Sequence, residues 1–281
     1  MATLTSMLPP QRVAYELFCK STVLRGFGTH ALADVGEQSL LSRFDTKYLL
    51  PPQHLEEFLQ MLRSAYTLLD VAGSTVHGYR TLYFDTPTFD LYFAHHNNRV
   101  PRGKVRCRTY VDTGRCYLEL KTKDNRGRTD KRRLACTGVV RQEDIATLLH
   151  QAPFAVAPDP AQLQGRVTVE YQRIALWNRG LGERVSIDLD LRAGRHDVHA
   201  GYGFGALAVV EVKQAALNRR SPALAALRQF GLRPQAFSKY CVACALLYPQ
   251  QLRSNRFRGL LRQLNPFLAT HPQQELLHAG F

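Results

Sequence analysis

Lys104-Val105-Arg106-Cys107-Arg108-Thr109-Tyr110 and Tyr117-Leu118-Glu119-Leu120-Lys121-Thr122-Lys123 decide how this 281-residue chain folds. Both alternate charged residues with apolar or small ones at period two, the pattern of strands with one face against a core. Successive side chains on a strand point to opposite faces. Lys104, Arg106 and Arg108 therefore share one face and Glu119, Lys121 and Lys123 another, with Val105, Cys107, Leu118 and Leu120 behind them. Asp112-Thr113-Gly114 between the two segments reads as a hairpin loop in which Gly supplies positive φ. The same parity places Arg43, Asp45 and Lys47 together, and Glu211 with Lys213 opposite Val210 and Val212.

Working outward, strands are expected over residues 42–50, 79–85, 104–112, 115–123, 130–136, 166–177, 183–191 and 206–214. Helical spacing of Leu55, Phe58, Leu59 and Leu62 after Pro51-Pro52 predicts a helix over 54–64. Further helices are expected over 142–150, 222–230 and 238–247, with a Pro-rich loop over 152–161. An amphipathic helix over 11–24 follows Pro9-Pro10. Strand sets separated by helices predict an α+β fold whose antiparallel sheet closes into a barrel with flanking helices. The expected organisation is a helical appendage at 1–38, a tunnel domain at 39–248 and a basic tail at 249–281 carrying Arg253, Arg256, Arg258 and Arg262.

A formal charge of +14, from 37 Lys plus Arg against 23 acids, points to an anionic partner. The six cysteines show no regular spacing and no apolar leader with a cleavage site precedes them, so a reducing, cytoplasmic compartment is expected. Cys241 and Cys244 sit one helical turn apart in an apolar run without a second ligand pair, which reads as core packing. No apolar run reaches the ~18 residues that span a bilayer. Interleaved exposed aromatics, helix-turn-helix and zinc patterns are all missing from the basic segments, which argues against nucleic acid.

Alternating charges on one strand ordinarily coat a solvated outer face. Four strands with the same mixed face point instead to a barrel lining, whose self-repulsion a polyanion or metal must relieve. Arg106 and Arg108 can fork onto phosphate oxygens, while Lys121 and Lys213 act as point charges. A carboxylate facing phosphate needs a divalent cation between them, so Glu211 first and Glu119 second are the expected ligands of Mn²⁺ or Mg²⁺.

Read in order, these segments resemble the VTC domain, the polyphosphate-polymerase domain of vacuolar transporter chaperones and their bacterial relatives within the triphosphate tunnel metalloenzymes (CYTH-like). Arg43-Phe44-Asp45-Thr46-Lys47-Tyr48 resembles the opening strand, and Tyr83-Phe84-Asp85-Thr86-Pro87 the Tyr-Phe-Asp segment. Arg106-Cys107-Arg108 matches the paired-arginine strand, Leu118-Glu119-Leu120-Lys121 the next, and Lys131-Arg132-Arg133 the basic segment after it. Tyr171-Gln172-Arg173-Ile174-Ala175, Arg184-Val185-Ser186-Ile187-Asp188, Val210-Glu211-Val212-Lys213 and Phe237-Ser238-Lys239-Tyr240 complete the series. Asp45 stands where such enzymes usually carry Glu, and Ala236 where the yeast-type pattern has a second Lys.

The resemblance implies transfer of the ATP γ-phosphate onto a growing polyphosphate chain. It assigns Arg106, Arg108, Lys121, Lys131, Arg133, Arg173, Arg184 and Lys213 to phosphate binding, and Lys47 and Lys239 to the reacting phosphate. The implied partners are ATP and polyphosphate or another oligophosphate, with room for a membrane-protein partner at the inner face of a membrane. Hydrolysis of triphosphates, or non-catalytic polyphosphate or inositol-phosphate binding, fits the same lining.

Overall fold

The computed structural model describes residues 22–35, 44–126, 129–150, 158–197 and 200–272. The expected helix over 11–24 falls largely outside them. Arg43 and most of the Pro-rich loop also lie outside.

One large sheet organises the chain. Its ladder runs β2 (Phe44–Leu50), β11 (Ala208–Gln214), β9 (Glu183–Arg195), β8 (Gln164–Asn178), β4 (Val76–Asp85), β5 (Arg102–Tyr110), β6 (Cys116–Lys123), β7 (Thr129–Cys136), every neighbour antiparallel. The expected hairpin joins β5 to β6, with Tyr110 N–H donating to the Arg115 carbonyl at 2.9 Å and Gly114 at φ 66°. β9 forks: its first half pairs with β11, and past Asp190, at φ 47°, its second half pairs with β10 (Ala200–Gly203). β10 in turn holds β12 (Ala269–Pro272). β1 (Thr29–Ala31) lies parallel to β3 (Thr67–Asp70), which extends β8.

The expected α+β fold forms, an antiparallel sheet of many strands with flanking helices, but the sheet is not strictly closed. Among the described residues the end strands β2 and β7 share no ladder, so the sheet curls without sealing by hydrogen bonds. Side chains cross the gap instead, and Lys121 of β6 interacts electrostatically with Asp45 and Lys47 of β2.

Apolar faces sort into three cores. Behind β2, β11, β9 and the end of β8, Tyr48, Leu50, Val210, Val212, Ile187 and Ile174 pack against α1 (Thr22–Arg25), α2 (Leu55–Leu62) and α5 (Pro222–Gln229). Behind β4 to β7, Leu82, Val105, Cys107, Leu118 and Leu120 pack under α4 (Gln142–His150). The third core lies on the concave side, where Leu49, Tyr83, Val167, Val169, Tyr171 and Val209 meet α3 (Asp90–His96) and α6 (Lys239–Leu247). Lys-Tyr-Cys-Val-Ala-Cys-Ala-Leu-Leu is apolar almost all round after its first residue, which suits a helix enclosed on every side. Cys241 and Cys244 are core side chains there. Leu252, Phe257, Leu260 and Leu264 join the same core, the last two from α7 (Arg258–Leu264).

The sequence reading missed α3, because Phe89 enters it at φ 58° and no capping residue marks its start. A buried carboxylate organises it instead. Asp85 accepts from the backbone N–H groups of Thr86, Leu91 and Tyr92 at 2.8–2.9 Å and from the Tyr240 hydroxyl. Asp85→Ala is expected to lower unfolding stability by about 3 kcal/mol or more, since four buried donors lose their acceptor. Urea unfolding followed by circular dichroism measures this, and a loss under about 1 kcal/mol would contradict the assignment.

Candidate functional site

Among the described residues, strand parity turns Lys47, Arg106, Arg108, Glu119, Lys121, Lys131, Arg133, Arg184, Glu211 and Lys213 away from the two outer cores and toward the concave side. Arg106 and Arg108 project from β5, Glu119 and Lys121 from β6, Lys131 and Arg133 from β7, each opposite a core-facing neighbour. Lys47 of β2 lies directly across from Glu211 of β11, and Lys213 lies between Asp45 and Arg184 in the paired strands. Arg173 follows Tyr171 on the inner face of β8. Lys239 opens α6, which Ser238 caps by accepting from Cys241 N–H at 3.3 Å.

Three carboxylates hold these cations in place. Glu211 pairs with Lys47 at 2.8 Å through one oxygen and with Lys213 at 2.7 Å through the other. Glu119, only 1% exposed, meets Arg106 at 2.7 Å, Lys131 at 2.5 Å and Arg108 at 3.8 Å. Asp188, also 1% exposed, accepts from Arg173 Nε at 2.6 Å and Nη2 at 2.9 Å, and from Lys239 Nζ. Asp188 thus draws Arg173 and Lys239 together from two other elements, β8 and α6.

Aromatic faces fill in behind the cations. Arg173 lies 5.1 Å from the Tyr79 ring centroid and 5.2 Å from that of Tyr171, and Lys239 lies 4.6 Å from Tyr171. Arg108 stands 5.6 Å over Tyr79, and Arg133 5.1 Å over Tyr117. Arg106 Nη1 also donates to the Tyr83 hydroxyl at 3.3 Å. Such faces hold guanidinium groups without consuming their N–H donors.

The fields are strong and opposed. Burial pushes the Glu119 carboxyl up, but Arg106, Arg108 and Lys131 overcome it and bring the value down to about 2. Asp188 behaves alike: burial raises it, and Arg173 and Lys239 pull it down to about 2. Glu211 is held well below the usual range by Lys213 and Lys47 against its own burial. The lysines show the reverse. Burial, then crowding by Lys47 and Lys104, takes Lys121 down to about 8, with Asp45 and Glu211 resisting. Lys104 is lowered by burial and by Lys47 and Arg106. It belongs to the lining, since its ammonium donates to the Ser238 hydroxyl at 2.8 Å beside Lys239. Its place on the Arg106 face was the signal for including it.

For a divalent ion the carboxylates are not equivalent. Glu119 has three cations within 4.0 Å, an environment that repels a second positive charge. Glu211 meets two cations, Lys47 and Lys213, and Asp45 occupies the diagonal position on the paired strand, so these are the hard-oxygen donors that strand register brings nearest to one another.

A family model for the VTC domain matches residues 42–248. No curated protein matches the chain. Among solved structures, HpAC1 from Hippeastrum, described as a candidate adenylyl cyclase with a dominant triphosphatase activity, is 20% identical at a TM-score of 0.46; the match covers 74% of this chain and 97% of that one. A Vibrio parahaemolyticus protein described as a candidate adenylate cyclase is 14% identical at a TM-score of 0.44, covering 72% and 98%. A conserved hypothetical protein from Pyrococcus furiosus is 12% identical at 0.39, covering 70% and 97%.

The Lys121 shift sets a pH dependence. An unfolded Lys keeps its proton to about 10.4, whereas the folded one sheds it near about 8. Between those values the unfolded chain binds more protons, so stability rises with pH. Thermal melts of the ligand-free protein from about pH 8 to 10 are expected to show this rise, and Lys121→Met to flatten it. Identical slopes for both proteins would contradict the assignment.

Proposed function

The chain belongs to the VTC domain family, and from that membership we propose that it is a divalent-metal-dependent polyphosphate polymerase that moves the γ-phosphoryl group of ATP onto a polyphosphate end. The observation that carries this reading is the surplus of desolvated cations over carboxylates on the concave face. Lys104, Lys121 and Lys213 are all depressed by burial, a cost that a bound phosphate chain reverses.

Phosphoryl transfer asks for positioning and charge neutralisation more than covalent chemistry. Arg106 and Arg108 fork onto oxygens of the chain, with Lys131 and Arg133 continuing the row on β7. Arg173, Arg184 and Lys213 grip the opposite side. Lys47 and Lys239 reach the reacting phosphate from β2 and the start of α6, and release Glu211 and Asp188 as they do so. Glu119 serves as the fixed counter-ion that keeps Arg106, Arg108 and Lys131 aimed inward. Glu211, with Asp45, would hold Mn²⁺ or Mg²⁺, which when bound supplies neutralisation of charge on the phosphate oxygens.

Hydrolysis of a triphosphate end is the second reading, favoured by Ala236 where the yeast-type pattern has a Lys. Labelled ATP with Mn²⁺ separates the two: long-chain product supports the polymerase, and free phosphate without polymer supports the hydrolase. Glu211→Gln is expected to cut metal-dependent turnover by about 10²–10³-fold. Metal-free binding of tripolyphosphate should stay within a few-fold of the parent. Turnover unaffected by that substitution would sink the metal assignment.

A further inference from the structure

Behind the paired arginines, on the opposite side of the sheet, three thiols converge that phosphate chemistry does not use. Cys107 of β5, Cys116 of β6 and Cys136 of β7 place their Sγ atoms 2.8 Å (107 to 116), 3.1 Å (116 to 136) and 3.7 Å (107 to 136) apart. Cys116 and Cys136 face one another in the ladder, and Cys107 sits one diagonal step away. No disulfide joins them. Two of the separations are shorter than the ~3.5–4.0 Å at which non-bonded carbon atoms rest. Among the described residues, these are the ligand-type side chains whose donor atoms all lie within 4.8 Å of one another.

We propose that Cys107, Cys116 and Cys136 bind one thiophilic d10 cation, with copper(I) the ion that matches the donor set best. Thiolate sulphur selects copper(I) and zinc over magnesium and manganese, so this site does not compete for the hard ion of the phosphate face. Closed zinc sites take four ligands, and no His, Asp or Glu joins the three sulphurs within that distance among the described residues. Three soft donors suit a three-coordinate copper(I). With metal–sulphur bonds of about 2.3 Å the sulphurs would stand roughly 3.8–4.0 Å apart, a spreading that small side-chain rotations supply.

Binding is a proton exchange. Each thiol that ligates gives its proton to solvent as the sulphur–metal bond forms, and no electron moves because the ion enters as copper(I). Burial raises the Cys107 and Cys136 thiols, and because a ligating thiol must lose its proton, affinity increases with pH. Cys107 and Cys116 are buried, while Cys136 is half-buried on β7, the last strand of the ladder, and gives the ion its entry. An ion held here ties together the three strands that carry Arg106, Arg108, Glu119, Lys121, Lys131 and Arg133.

The test uses the full chain, reduced and kept anaerobic, titrated with copper(I) against a chromophoric copper(I) chelator. Expected are one copper per chain, a thiolate-to-copper absorption band in the ultraviolet, and a melting temperature raised by the metal. Cys136→Ser, at the half-buried position, should weaken binding by more than the 10–100-fold that losing an outer-shell partner costs. Melting of its metal-free form, close to that of the parent, shows that it folds. Cys107→Val, which keeps an apolar side chain in the core, should act in the same direction. Stoichiometric copper retained in both variants would overturn the proposal. So would failure of the parent to bind, including the case in which a mass deficit of two hydrogens, restored by dithiothreitol, shows a disulfide. A parallel zinc titration in which zinc displaces copper would overturn the preference for copper(I).

Discussion

Repulsion among like charges on a concave sheet is the constraint around which the molecule is arranged. Two unit charges about 4 Å apart interact by roughly 4 kcal/mol at an effective dielectric of 20, and the inner face carries many such neighbours. Glu211, Glu119 and Asp188 answer it by each bridging cations from different elements. Removing any one would leave its cations buried and opposed, which costs more than the pair contributes when intact. The carboxylates thus have a structural reason to exist before any ligand arrives.

That electrostatic face can form because the concave side is divided. One part is filled by aromatic and aliphatic side chains packed on α6 and α3, and the other is left to the charges. Ser238 marks the boundary, capping α6 and accepting from Lys104, and Lys239 follows it directly. Asp85 secures the same boundary from β4 by holding both the start of α3 and Tyr240. Core packing and placement of Lys239 are consequently one arrangement.

The two faces of β5 to β7 carry different chemistry at adjacent positions. Arg106, Arg108 and Glu119 are hard, charged groups turned inward; Cys107, Cys116 and Cys136 are soft groups turned outward beneath α4. Alternation at period two makes this separation inexpensive, because no residue has to serve both environments.

Strand parity, readable without coordinates, determined which residues line the inner face and placed Arg106, Arg108, Lys121, Glu211 and Lys213 there. The helix over 142–150 is legible to the residue and the eight expected strands nearly so, because their periodicity is local, whereas the three- and four-residue strands β1, β3, β10 and β12 are too short to show one. Tertiary structure decided what periodicity cannot encode. Asp188 pairs with Arg173 and Lys239, since the docking of β8 and α6 brings those cations within its reach. Helix α3 depends on Asp85, a residue outside the helix it organises. Among the described residues β2 and β7 share no ladder, a matter of how the whole sheet is arranged that the pattern within either strand does not encode. Three irregularly spaced cysteines converge because adjacent strands align positions far apart in the chain, and registers of that kind exist only in the folded sheet.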